Sequence, residues 1–194
     1  MAYKISLTGQ NKVIAERMLE RIAKILNECN IDYWLEGGTL LGIYREQRLL
    51  PWDNDIDISL MIDQKDKLHM LFSSLKEKGF RVRKRFFNHS KPPFKKGHLR
   101  MIKIRESRFF GLIKGNVCLE LFIKYPVKDR AFWEIDSKIK SVPYNFYKQL
   151  KIISFKGFDY KIPLKTEAYL TYRYGNWETP VKEWNTGKDD RALN

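Results

Sequence analysis

The sequence predicts an α+β fold, and three observations lead there. Apolar residues recur with a helical period near the N-terminus and with a strand period in several later runs, and two of those runs are joined by a turn short enough to require antiparallel pairing. The chain has 194 residues, about what one domain uses at a usual ~150 residues, so a single domain over 1–194 is expected. Hydrophobic residues make up 43% and aromatic residues 14%, enough to bury a core, which excludes long-range disorder. No apolar run approaches the ~20 residues of a membrane span. Met1–Gln10 lacks the apolar stretch of a secretory leader, so a cytoplasmic location is expected. Cys29 and Cys118 fit no metal or redox spacing and read as small buried hydrophobes.

In chain order, Val13, Ile14, Met18, Ile22, Ile25, Leu26 and Cys29 define an amphipathic helix from about Asn11 to Glu28. Ile31–Leu35 reads as a short buried strand ending in Glu36-Gly37-Gly38-Thr39, with a short helix expected from Leu40 to about Arg45. Asp53–Leu60 carries acids at alternate positions, the two-residue period of a strand. Asp63 is placed as the N-cap of a helix whose stripe is Leu68, Leu71, Phe72 and Leu75 and which stops before Gly79. Strands are expected at Phe80–Phe87, His98–Arg105 and Val117–Ile123, and residues 128–148 read as helix plus loop. Ile152–Phe155 and Phe158–Ile162 form a hairpin through Lys156-Gly157, and a last helix runs from Thr166 to Gly175.

The chemistry concentrates in one strand. Asp55 and Asp57, two residues apart, project to the same face roughly 6–7 Å from each other, while Ile56 and Ile58 face the core. Like-charged carboxylates so close repel unless a cation lies between them. The hard cation that suits carboxylate and phosphate oxygens together is Mg²⁺, with Mn²⁺ as the alternative. Gly37-Gly38-Thr39 adds a second device, since two glycines let a backbone approach a ligand closely and a helix start offers N–H groups to phosphate. Glu120 is the lone acid in the apolar run Val117–Phe122 and is expected to be a third carboxylate on a neighbouring strand.

Taken together, Trp34-Leu35-Glu36-Gly37-Gly38-Thr39-Leu40-Leu41-Gly42-Ile43-Tyr44-Arg45 and Leu50-Pro51-Trp52-Asp53-Asn54-Asp55-Ile56-Asp57-Ile58 resemble the LicD/fukutin family of phosphotransferases, within the nucleotidyltransferase-fold superfamily. Pro163, Tyr169-Leu170, Tyr174-Gly175-x-Trp177 and Pro180 look like that family's C-terminal signature. The resemblance implies a nucleotidyltransferase-like mixed sheet flanked by helices. It also implies transfer of phosphocholine, or of ribitol or glycerol phosphate, from a CDP-linked donor to a sugar hydroxyl of a cell-surface glycan or glycolipid such as lipopolysaccharide, teichoic acid or capsule. By the same resemblance Asp55 and Asp57 are metal ligands, and Glu120 stands where the family usually has Asp, as ligand or general base. Gly37, Gly38, Thr39 and Arg45 would contact donor phosphate, Asp53 would hold the loop, and Asn54 would point away from the site.

Charge separates the chain into two regions. Lys and Arg exceed Asp and Glu by 14, yet residues 81–105 alone carry ten Lys or Arg and no acid. Such a segment calls for an anionic partner: an acceptor polymer, an anionic membrane met at the inner face, or nucleic acid. Arg100 and Lys103, beside the Glu120 strand, are expected to reach donor phosphate. Trp52, Tyr174 and Trp177 are candidate walls of a donor pocket. Two rival readings remain open: a nucleotidyltransferase moving a nucleoside monophosphate from an NTP, and a basic nucleic-acid-binding module. Intact Asp55 and Asp57 and the absence of an RNA-binding aromatic motif disfavour nucleic acid.

Overall fold

The computed structural model describes residues 4–108 and 113–193. The N-terminal helix α1 (Gly9–Glu28) buries Met18, Leu19, Ile22, Ile25 and Leu26 along one stripe, as the spacing predicts. A two-residue strand, β1 (Trp34–Leu35), leads directly into helix α2 (Gly37–Glu46). That helix starts three residues earlier than expected, because Glu36 turns back to accept its first N–H, from Gly37, at 3.2 Å. Strand β2 (Ile56–Met61) follows, so Asp57 lies within it and Asp55 in the turn just before. Asp63 falls inside a 3₁₀ segment (Ile62–Lys67) and is not the cap of helix α3 (Leu68–Glu77); that position is held by Lys67.

Strands β3 (Phe80–Phe86), β4 (Leu99–Arg108) and β6 (Leu119–Val127) complete the sheet order β1-β2-β6-β4-β3, and the short β5 (Ile113–Lys114) pairs with β4. β2 and β6 run parallel, and the other neighbours antiparallel. Parallel strands need a crossover, supplied here by α3, β3 and β4. One sheet face is covered by α1 and α3: Glu106 of β4 meets Arg17 and Arg21 of α1, and Lys84 of β3 lies over the Phe72 ring of α3. The alternate residues therefore point to the opposite face, where the chemistry gathers.

Residues 128–148 depart from expectation. They form the hairpin β7 (Arg130–Ile135) and β8 (Lys138–Pro143), joined by Asp136 and Ser137 with φ of 47° and 63°. That turn follows the twist of the strands but is built without glycine, so its signal in the sequence is weak. β9 (Leu150–Phe155) and β10 (Phe158–Pro163) pair through Lys156-Gly157 as predicted, and α4 (Thr166–Tyr174) follows. Among the described residues no helix is long and apolar enough to cross a membrane.

Candidate active site

The register of the sheet builds the site. Asp57 on β2 stands directly opposite Glu120 on β6, and Asp55 hangs over both from the turn before β2. Carboxylate oxygens of the three residues lie within 4.8 Å of one another. Burial, then the charges of Glu120 and Asp53, push the Asp55 carboxyl up to about 7. Burial and the neighbouring Asp55 push Asp57 well above the usual carboxylate range. Three hard oxygen donors that repel one another in this way fit a divalent cation of the Mg²⁺ or Mn²⁺ type, whose charge offsets theirs. The expected third carboxylate is thus brought to the pair, although Lys103 on β4 also reaches Glu120 Oε1 at 2.6 Å.

The two glycines serve the carboxylates more directly than expected. A Cβ on Gly37, whose φ is +56°, would sit 2.3 Å from Asp57 Oδ2, and one on Gly38 would sit 1.9 Å from Asp53 Oδ2. Glycine here admits protein carboxylates against the start of α2, where the helix dipole favours negative charge. Thr39 is buried and does not line the cavity; its Oγ1 accepts the Asp57 N–H at 2.8 Å. Its hydroxyl therefore positions the strand that carries Asp57, a correction to its expected phosphate contact. Asp53 ties the loop through its backbone: its N–H donates to Leu50 O and its carbonyl accepts Leu7 N–H. Burial lifts its carboxyl to about 6, opposed by the Arg45 charge.

A cavity of about 600 Å³ opens over the cluster. Arg45, Arg100 and Lys103 line it, and so do Trp52, Tyr174 and Trp177. Asn54 lines it too, against the expectation that it points away, because Asp53–Asp55 form a turn and the strand alternation begins only at Ile56. Arg45 is fixed by Glu46 and by the Trp177 carbonyl, 2.7 Å from Nη1. Arg100 reaches the cavity through an irregularity: β3 and β4 pair Arg85 with Met101 but Phe86 with Leu99, so Arg100 is the extra residue and its side chain is re-aimed. It meets Glu134 at 3.1 Å, and His89, to which the sequence assigns no role, faces the other Glu134 oxygen at 3.1 Å. Glu134 was missed although, like Glu120, it is a lone acid between apolar neighbours.

Beneath the cavity lies a buried charge network. Glu36 accepts from Arg173 Nη1 at 2.8 Å, lies 3.0 Å from Lys124 Nζ, and is also bound by the Tyr169 hydroxyl. Lys124 sits 3.3 Å from the Trp133 ring centroid, and burial, opposed by the Glu36 charge, lowers its ammonium to about 7. Arg173 continues to Asp190 at 2.6 and 2.8 Å, and Asp190 binds Lys140 at 2.7 Å. Lys140 in turn holds the Thr186 carbonyl at 2.6 Å. The tail that reads as polar in the sequence is thereby strapped across the site, where Trp184 and Lys182 join the wall.

A mixed sheet that sets an Asp-x-Asp motif at a strand start beside a parallel strand carrying a further acid, with a Gly-Gly helix start packed against them, defines a nucleotidyltransferase fold. The antibiotic-resistance factor ANT(2'')-Ia shares it, with a TM-score of 0.50 at 16% identity over 90% of this chain and 78% of that one. More narrowly, the sequence model of the LicD/FKTN/FKRP nucleotidyltransferase domain matches residues 30–165, and the chain belongs to that family. It is 28% identical to the human ribitol-5-phosphate transferase FKTN over 180 residues, 88% of this chain and 34% of the relative. It is 25% identical to the uncharacterized protein RT0683 of Rickettsia typhi over 84% of this chain and 46% of that protein. A 61-residue stretch is 33% identical to the lipopolysaccharide cholinephosphotransferase LicD of Haemophilus influenzae, covering 31% of this chain and 23% of that enzyme. The chain thus spans less than half the length of these curated relatives.

Proposed function

We propose that the chain is a metal-dependent phosphotransferase domain. It would move a polyol phosphate, ribitol or glycerol phosphate, or else phosphocholine, from a CDP-linked donor to a sugar hydroxyl of a cell-surface glycan or glycolipid. The observation that carries this reading is the Asp55–Asp57–Glu120 cluster, set in a cavity whose walls bear Arg45, Arg100 and Lys103. Relatives named as ribitol-5-phosphate transferases and as a cholinephosphotransferase support the direction of transfer.

Asp55, Asp57 and Glu120 would hold Mg²⁺ or Mn²⁺, which when bound neutralises charge on the donor diphosphate and on the departing CMP. The wall cations bind phosphate oxygens, and Trp52, Tyr174 and Trp177 supply flat apolar surface for the donor. The acceptor hydroxyl gives its proton to a cavity carboxylate as its oxygen bonds to phosphorus and the P–O bond to CMP breaks. Segment 81–105 is the contact for an anionic partner.

The test is thermal stability with CDP-ribitol, CDP-glycerol, CDP-choline and the four NTPs, each with Mg²⁺ and with EDTA. A ligand at ~100 times its Kd adds about 2.7 kcal/mol. Stabilisation by a CDP-alcohol in Mg²⁺ alone is the expected result and names the headgroup. Stabilisation by an NTP instead would transfer the site to nucleotidyl transfer.

A further inference from the structure

Beyond α4 the chain stays against the molecule. Residues 176–187 run along the cavity, and Thr179, Val181, Lys182, Trp184 and Thr186 line it. These positions lie outside residues 30–165, over which the family's sequence model matches. The span buries little apolar surface of its own. Only Trp177, Trp184, Thr186 and Gly187 are half-buried, and none of its residues is buried.

Charged groups of the body hold the span instead. At one end Arg45 Nη1 donates to the Trp177 carbonyl at 2.7 Å, and at the other Lys140 Nζ donates to the Thr186 carbonyl at 2.6 Å. Just past the second clamp, Asp190 is fixed by Lys140 and Arg173, and all three of these charges are buried. Taking such groups out of water is costly, and what they fix is the surface that the span presents to the cavity. Midway between the clamps, Lys182 is exposed, lines the cavity and forms no ion pair among the described residues. The Trp184 ring meets the Tyr174 ring at 5.0 Å and 59°, and both residues line the cavity. Val181 adds an apolar side chain that is 53% exposed. A cation without a counter-ion beside an aromatic corner matches a ligand that carries phosphate next to a flat ring.

We propose that the tail span 176–187 is the outer wall of a nucleotide site, in which Lys182 binds a phosphate oxygen and Trp184 covers the base. The proposal rests on the reading of the cavity as a phosphate-transfer site, and it adds two binding residues that the carboxylate cluster does not supply. Lysine suits the position, because its flexible stem lets the ammonium follow a phosphate into the cavity. Arg45 both clamps the span and lines the cavity, so tail and ligand phosphate meet at one guanidinium.

Isothermal titration calorimetry in Mg²⁺ measures binding of inorganic pyrophosphate and of CDP to wild type, Lys182→Ala, Trp184→Ala and Lys188→Ala. Lys188 is an exposed tail lysine that does not line the cavity, so its variant controls for loss of charge alone. Lys182→Ala is expected to weaken both ligands at least fivefold, and Lys188→Ala to change neither by more than twofold. Trp184→Ala is expected to weaken CDP at least fivefold and pyrophosphate less than twofold. CDP is expected to slow tryptic cleavage after Lys182 at least fivefold and to leave cleavage after Lys188 unchanged. Equal losses in the two lysine variants reduce Lys182 to a general charge and overturn the proposal. Wild-type affinity in Lys182→Ala overturns it too, as do equal losses of CDP and pyrophosphate in Trp184→Ala or failure of wild type to bind either ligand. If the tail variants behave as expected but no CDP-alcohol is turned over, the wall stands and the phosphotransferase reading falls alone. Turnover of a CDP-alcohol with the same kinetics in wild type and tail variants leaves that reading intact and removes the wall.

Discussion

Replacing Gly37 with alanine tests how the carboxylate cluster is held. Gly37 has φ +56°, and a Cβ there would meet Asp57 Oδ2 at 2.3 Å. A left-handed backbone costs a residue with a Cβ about 1–2 kcal/mol. Moving the Asp57 carboxylate off its rotamer to relieve the contact costs about 0.5–1.5 kcal/mol more. A loss near ~2.5 kcal/mol in a chain of this size lowers Tm by roughly 5–10 °C. Gly79→Ala is the matched control, because Gly79 has φ +81° and open space around its missing Cβ, so it bears the backbone cost alone. Differential scanning fluorimetry of both variants, with and without Mg²⁺, separates the two contributions. Gly37→Ala is expected to melt below Gly79→Ala and to lose the Mg²⁺-dependent rise that Gly79→Ala keeps. Turnover of Gly37→Ala is expected to fall about 100-fold, the cost of displacing a reacting group by about 1 Å. Identical melting and identical Mg²⁺ response in the two variants would refute the packing argument.

Three other outcomes follow from the same geometry. In EDTA, stability falls as pH rises from about 4 to 7: the folded Asp55 and Asp53 carboxyls sit at about 7 and about 6, above the ordinary value near ~3.9, so the native state binds more protons there. Mg²⁺ should flatten that slope, and a melting temperature that rises over the window in EDTA would contradict it. Asp190→Ala leaves Arg173 and Lys140 as buried cations without their shared partner, which costs about 3–5 kcal/mol and frees the tail to limited proteolysis after residue 175. Ser137→Gly relieves a non-glycine residue at φ 63° and should stabilise the β7–β8 hairpin by about 1 kcal/mol, measured by urea denaturation.

Sequence patterning exposes the carboxylate cluster because its members break an apolar alternation. Asp57 and Glu120 each stand among residues that face the core, and a charge in that setting asks for a partner. The same test applied to Lys124 and Glu134 would have found them, since each is a charge flanked by apolar residues within a largely buried strand. Glu36 is harder to read, since it follows a strand of two residues and looks like part of a turn. Its partners at positions 124, 169 and 173 are brought to it only by tertiary packing. The β7–β8 hairpin is obscured for a local reason, because its turn dihedrals are supplied by Asp136 and Ser137. Arg100 is expected at the site only from its nearness to the Glu120 strand; strict alternation would turn it to the helix face, and the register shift beside it brings it into the cavity.

The parallel pairing of β2 with β6 also bears on how the molecule assembles. Asp57 and Glu120 meet across 63 residues of chain (120 − 57), and that interval holds α3, β3 and β4. Contacts so distant in sequence carry the loop-closure cost that makes folding slow. β4 lies next to β6 and pairs antiparallel with β3, so local hairpin pairing can precede insertion of β6 beside β2. Until that insertion Glu120 and the Asp55–Asp57 pair, the candidate ligands, are on separate pieces of chain. Cation affinity would therefore arrive with the final strand, and Mg²⁺-dependent protection in a refolding time course would report completion of the central sheet rather than early collapse.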